Sequence, residues 1–110
     1  MRMWMVDPAL MCRQHLLGEH RELHALVGLI RTGCSLAGYA EKELVETSSI
    51  QTRHEALVRE MLGRGYNHWT PMEYVDTLNL GKVSREASQF ALLRRCVECR
   101  KRNGVDQDEK

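Results

Sequence analysis

No stretch of this chain approaches the roughly 20 consecutive apolar residues that span a bilayer, and its first residues lack the apolar core of a secretory signal. A cytoplasmic protein with no membrane partner is the expectation. There is almost no net charge: 16 Lys+Arg against 15 Asp+Glu leave +1, so the total alone points to no partner. The sequence shows no internal repeat, no low-complexity tract, and no run that alternates strongly enough to predict a sheet. Its 110 residues suffice for one modest core and leave no room for a separate cofactor-binding domain. No cofactor and no metal are expected.

The cysteines fit that expectation. Cys12, Cys34, Cys96 and Cys99 could form two disulfides in a secreted mini-domain, but nothing marks the chain as secreted, and reduced thiols are expected. Cys96-Val97-Glu98-Cys99 is a CxxC pair, half of a zinc site at best. Strong zinc signatures show both paired halves, and the missing ligands would have to come from distant residues such as Cys12, Cys34, His54 or His68.

What the sequence does show is helical periodicity. Asp7 can cap a helix with Pro8 in its first position, where a missing N–H does no harm. The apolar spacing then runs through Leu16, Leu23, Val27 and Ile30 to a stop at Gly33, with Gly18 and Gly28 admitting a kink or a close neighbour. A second helix starts after Ser48 or Ser49, buries Leu57 and Met61 with help from Ala56 and Leu62, and ends at Gly65. Residues 67–83 read as a long connection. A third helix follows the cap Ser84, buries Ala87, Phe90 and Ala91, and runs towards Gly104. The expected fold is all-α: about three helices over residues 1–104, with an N-terminal segment packed near the first helix and a charged tail at 105–110.

Charge is clustered although it nearly cancels. Arg94-Arg95 and Arg100-Lys101-Arg102 form a basic stretch, offset by Asp106, Asp108 and Glu109 in the tail, so a near-neutral total can hide a basic face. On an ideal helix His15 and Glu22 fall within about 20° of each other, two turns apart, with Glu19 close by. The apolar stripe runs beside that line, which sets Glu22 at the margin of the core, where a carboxyl can give or take protons. The same helix offers His15, Glu19, His20, Glu22 and His24 as a dense set of metal donors. It lacks, however, the His-Glu-x-x-His order in which a glutamate serves a bound zinc.

Gln14-His15-Leu16, then Glu19, then Arg21-Glu22-Leu23 resemble the first-helix signature of the pyrimidine-dimer DNA glycosylase family, the endonuclease V type of a T-even phage and of algal viruses. Arg64-Gly65-Tyr66-Asn67 is similar to that family's second-helix ending. The resemblance covers roughly the first two thirds of the chain. It implies a DNA repair glycosylase and abasic-site lyase whose N-terminal amine attacks C1′ of a damaged or abasic deoxynucleotide, forms an imine and nicks the strand by β-elimination. α-Amines as a class, with ordinary pKa values of about 7.7–8.0, are partly unprotonated at neutral pH and so are ready nucleophiles.

The implied roles fall residue by residue. Phage members expose a small threonine after losing the initiator methionine, whereas Arg2 here is bulky enough to hinder that removal. If Met1 is retained, its amine stands as far ahead of Glu22 as the family's threonine amine stands ahead of its glutamate, and Arg2 falls on the family's arginine. Met1 is therefore the expected nucleophile and Glu22 the proton-transfer group. Arg21 resembles a phosphate-contacting arginine, and Gln14 and His15 match positions near the DNA and the abasic sugar. His15 equally reads as a core-edge histidine bonded to backbone.

The chain departs from the family in two places. Ala25 stands where the family has a helical arginine, and an aromatic carboxyl-terminal segment is missing. Arg94, Arg95 and Arg100 are candidates to replace the lost DNA contacts, and Trp4, Trp69 and Tyr66 are available for stacking. The expected partner is double-stranded DNA carrying damaged or abasic sites, with no obligatory protein partner. The alternatives are a non-catalytic DNA-binding helical module and a His/Glu metalloenzyme.

Overall fold

A computed structural model of the protein describes residues 1–67 and 70–104. His68, Trp69 and the 105–110 tail, all named above, lie outside the described residues. The fold is all-α, with no strand among the described residues. Among the described residues five α-helices form rather than three: α1 (Arg13–Arg31), α2 (Ala37–Glu41), α3 (Ile50–Gly63), α4 (Arg85–Arg95) and α5 (Val97–Arg102).

The first helix begins later than the Asp7-Pro8 signal predicts. Asp7 does cap a turn, accepting from the Ala9 amide at 3.0 Å, but that turn is a 3₁₀ segment, Pro8–Leu10, and the chain is extended again at Met11 and Cys12. Arg64 holds this irregular stretch, donating to the carbonyls of Pro8 and Met11 (3.1 and 2.7 Å). Cys12 then becomes the cap of α1. From there α1 runs unbroken through Gly18 and Gly28, neither of which meets a close neighbour. Leu16, Leu23, Leu26 and Val27 are buried, and Ile30 is half-buried.

α1 and α3 end alike. Gly33 and Gly65 adopt positive φ (80° and 86°), which glycine reaches without a Cβ clash. In each case the following amide reaches back to the carbonyl five residues earlier, Cys34 to Leu29 and Tyr66 to Met61, both at 2.9 Å. α3 packs on α1 and buries Ile50, Leu57, Val58 and Met61. Ala56 is half-buried, while Leu62, expected to help, is exposed at the flank of that face.

Two further corrections concern the C-terminal third. The basic stretch is not one helix: Cys96 is extended (φ −123°, ψ 113°), and Arg100 turns back to donate to the carbonyls of Leu93 and Arg94 at the end of α4 (2.7 and 3.2 Å). The buried face of α4 is also not Ala87, Phe90 and Ala91. It is Ser88 and Leu92; Ala87 and Phe90 are exposed and Ala91 half-buried. Ser88 is drawn inward because its hydroxyl donates to the buried carbonyl of Trp4.

The N-terminal segment is held between α1, α4 and the stretch before α3. Met3 and Trp4 are buried, and the Met3 amide donates to the Leu44 carbonyl at 2.7 Å. The connection ahead of α4 is long, as expected, and over its described part, 70–83, it is tied down by polar side chains. Gln51 brackets Met72 and Tyr74, Thr47 pairs with Leu80, and Glu46 accepts from the Val83 amide and the Arg85 guanidinium.

Candidate functional site

Burying Met3 and Trp4 fixes where the chain begins. It lays Met1 and Arg2 across the first two turns of α1, and a cleft of about 370 Å³ opens there, lined by Met1, Arg2, Gln14, His15, Glu22 and Arg95 among others. The Arg2 amide donates to Glu22 Oε1 at 2.7 Å. Glu22 is half-buried and Met1 exposed, so a carboxylate and the chain's first residue share one solvent-accessible space. Gly18, on the same line of the helix between His15 and Glu22, leaves the floor of that space open.

Trp4 forms a wall rather than a stacking platform. It is only 6% exposed and carries the Arg2 guanidinium 3.8 Å above its ring, that of Arg95 at 5.4 Å, and His15 edge-on at 5.5 Å. Burial, with Arg95 close by, lowers the Arg2 pKa against the pull of Glu19 and Glu22, and the same two causes lower that of His15. His15 is therefore mostly neutral at physiological pH. Arg2 Nε is buried with no partner among the described residues, a donor left over on the cleft wall.

Glu19, though beside this line, has a different task. Arg53 grips its carboxylate with two 2.8 Å hydrogen bonds and gives its remaining arm to the Val6 carbonyl at 2.6 Å. This buried fork ties α1, α3 and the N-terminal segment together. Sequence reasoning missed Arg53 altogether, and only its place on the otherwise apolar face of α3, beside Leu57 and Met61, could have flagged it.

Other predicted residues lie elsewhere. Arg21 is exposed and lines a second groove of about 500 Å³ with Arg13, Leu17, Glu98 and Arg102, which meets the first cleft at Gln14. That larger groove is basic but holds neither Glu22 nor Met1. Arg94 stands outside the cleft over Phe90, and Arg100 is occupied with the end of α4. Tyr66 is half-buried under Arg13.

The donor set His15, Glu19, His20, Glu22 and His24 is dispersed. His20 and His24 instead face His54 of α3, with ring centroids 4.9–5.0 Å apart, and the His24 and His54 rings each reach the Thr70 carbonyl. His15 turns its Nδ1 towards Cys12 and Cys99. A single metal centre built on those five residues is thus overturned, because α1 points them into three different environments.

The cleft brings the Glu22 carboxylate and Met1 into one space, and the sequence comparison adds a family. The family model for pyrimidine dimer DNA glycosylase matches residues 1–74. The chain belongs to that family, which places it among the DNA repair glycosylases with DNA as substrate. No curated protein and no solved structure matches it. The match spans Met1, Arg2, Gln14, His15, Arg21 and Glu22 and stops before α4. No helix among the described residues is long and apolar enough to cross a membrane.

Proposed function

We propose that the N-terminal cleft is the active site of a glycosylase and abasic-site lyase acting on UV pyrimidine dimers or abasic sites in double-stranded DNA. The observation that carries this reading is the 2.7 Å hydrogen bond from the Arg2 amide to Glu22, which holds the carboxylate one residue from the Met1 amine. The unprotonated amine attacks C1′ and displaces the damaged base, which departs with a proton, and opening of the C1′–O4′ bond with a proton to O4′ gives the imine; at an abasic site the amine adds to the C1′ aldehyde and water departs. The resulting imine acidifies the C2′ proton; Glu22 takes it, the C3′–O bond breaks, and the strand is nicked. Hydrolysis of the imine restores the amine.

Arg2 and Arg95, stacked on the same tryptophan, face where a flipped nucleotide's phosphates would enter. His15 and Gln14 line the sugar's path, Arg21 holds the strand along the neighbouring groove, and Arg94 extends the basic edge. Arg100 serves the DNA through the α4–α5 corner it braces.

Borohydride trapping on duplexes carrying an abasic site or a cyclobutane thymine dimer, with peptide mapping of the adduct, tests the reading. An adduct on the Met1 α-amine supports the lyase, and one formed with the dimer adds the glycosylase. No adduct from protein whose amino terminus is unblocked leaves a non-catalytic DNA-binding module.

A further inference from the structure

We infer that Cys12, His15, Cys96 and Cys99 form a structural zinc site that staples the C-terminal helices to the wall of the N-terminal cleft. No cofactor chemistry is asked of it.

The four donor atoms lie within 4.8 Å of one another. Cys12 Sγ is 3.8 Å from Cys96 Sγ and 3.3 Å from His15 Nδ1, and Cys99 Sγ is 3.7 Å from the same nitrogen. Zinc bonds of about 2.3 Å to sulfur and about 2.0 Å to nitrogen give tetrahedral edges of about 3.8 Å between sulfurs and about 3.5 Å between sulfur and nitrogen. These three separations match those edges to within a few tenths of an ångström. It does not match a disulfide: all four cysteines are free thiols, and a 3.8 Å separation is far beyond a bond.

The backbone around the cluster is arranged for thiolates. Cys12 caps α1 and His15 is its third residue; Cys96 caps α5 and Cys99 is its third residue. Two helix N-termini, each with a ligand at the cap and another a turn later, thus meet at one point. The amides of His15 and Cys99 donate to Cys12 Sγ and Cys96 Sγ (3.5 and 3.4 Å), and the Cys12 amide donates to Cys99 Sγ at 3.3 Å. Amide donors and the positive ends of helix dipoles stabilise sulfur as the anion that ligates a metal. Three sulfurs and one imidazole, all from protein, select zinc in a closed, non-catalytic geometry. Loading the site releases thiol protons to solvent.

The location gives the ion a purpose. Cys12 lines the basic groove and His15 the N-terminal cleft, so the metal sits in the wall between them. Cys96 directly follows Arg95, which reaches the cleft from a part of the chain beyond the family match. Coordination through Nδ1 leaves the His15 proton on Nε2, fixing a neutral donor on the cleft wall. That last consequence rests on the proposed active site; the metal site does not.

The test is the metal content of the full chain, purified under reducing conditions and dialysed against a weak chelator, together with the spectrum after cobalt substitution. One zinc per chain is expected, with a cobalt form showing thiolate charge-transfer bands and intense tetrahedral d–d absorption. Cys34→Ser and His54→Gln should each keep the ion. Cys99→Ser should lose it, and His15→Cys, with the other three ligands intact, should keep tight binding with an all-sulfur cobalt spectrum. Iodoacetamide should label only Cys34 until a strong chelator exposes the other three. Failure of the reduced wild-type chain to retain added zinc would overturn the site, as would an ion lost from His54→Gln but kept by Cys99→Ser, which would place it among the three histidines. Neither readout depends on nicking or borohydride trapping.

Discussion

The Arg2 amide and the Glu22 carboxylate are joined by a 2.7 Å hydrogen bond across 20 residues of sequence, and that bond sets the distance between the start of the chain and the only half-buried glutamate of its cleft. Glutamine can still accept from the Arg2 amide through its carbonyl oxygen. Glu22→Gln is therefore expected to leave the thermal midpoint and DNA affinity close to wild type. Removing a general acid–base group costs about 10²–10⁴-fold in rate, so strand nicking at an abasic site should fall within that range. Wild-type nicking by Glu22→Gln, measured in single turnover, would remove the carboxylate from the mechanism.

Glu19 is the contrasting carboxylate, three residues away and fully committed to Arg53. Removing one partner of a buried pair strands the other charge, at about 3–5 kcal/mol. Glu19→Ala should lower the urea midpoint accordingly, and a nicking defect should track the loss of folded protein. A double variant, Glu19→Leu with Arg53→Met, should recover much of the stability, since apolar replacement of a whole buried pair is often neutral.

The sequence made the scaffold legible where periodicity and caps agree: Leu16, Leu23 and Val27 on α1, Leu57 and Met61 on α3, the glycine stops at 33 and 65, and Ser84 as a cap. Met1, Arg2, Gln14, His15, Glu22 and Arg95 line one cleft; the sequence named each of them but did not bring Arg95 to the others. What stayed hidden depends on tertiary partners. Arg64 holds the carbonyls of Pro8 and Met11 in an irregular stretch, Trp4 draws Ser88 inward and turns Phe90 out, and Arg53 claims Glu19. The second half of the cysteine cluster was present as Cys12-Arg13-Gln14-His15, but a histidine marked for DNA contact was not counted as its ligand.

Arg21 tests whether DNA follows the groove beside the cleft. It is exposed and lines that groove with Arg13 and Arg102. Arg21→Ala should weaken binding evenly across sequences and reduce the slope of log affinity against log salt by about 1, the signature of one lost phosphate contact. An unchanged slope would move the strand away from this side of α1.

The three histidines make stability depend on acid. Burial first, then the proximity of His54, His24 and Arg21, lowers the His20 pKa from 6.5 to about 4, against the effect of the Thr70 carbonyl. A folded-state value below the unfolded one means that the unfolded chain binds the proton more readily. The stabilising contribution is thus complete above pH 6.5 and is lost as pH falls from there towards about 4. Across that window the linked loss is on the order of 3 kcal/mol. His20→Gln should flatten the decline in a series of urea midpoints taken from pH 7 to 4; an equally steep decline would assign the proton uptake to other groups.

Gly18 offers the most direct probe of where the substrate sits. It lies on α1 between His15 and Glu22, lines the cleft, and a Cβ built there meets nothing within 4 Å. Its backbone is ordinary α-helix, so alanine removes only the entropic cost of glycine, and Gly18→Ala should stabilise the protein by about 1 kcal/mol. Gly18→Leu has nearly the same helix propensity but sends four carbon atoms into the space that an extruded sugar would occupy between His15 and Glu22. The leucine variant should therefore fold at least as stably as wild type while losing both abasic-site nicking and borohydride trapping, and the alanine variant should retain most of each. Such a separation of stability from activity would speak against damaged packing as the cause, since a Cβ at this position meets nothing within 4 Å. A leucine variant that nicks and traps at the wild-type rate would place the reacting deoxyribose outside this cleft and shift attention to the larger basic groove beside it.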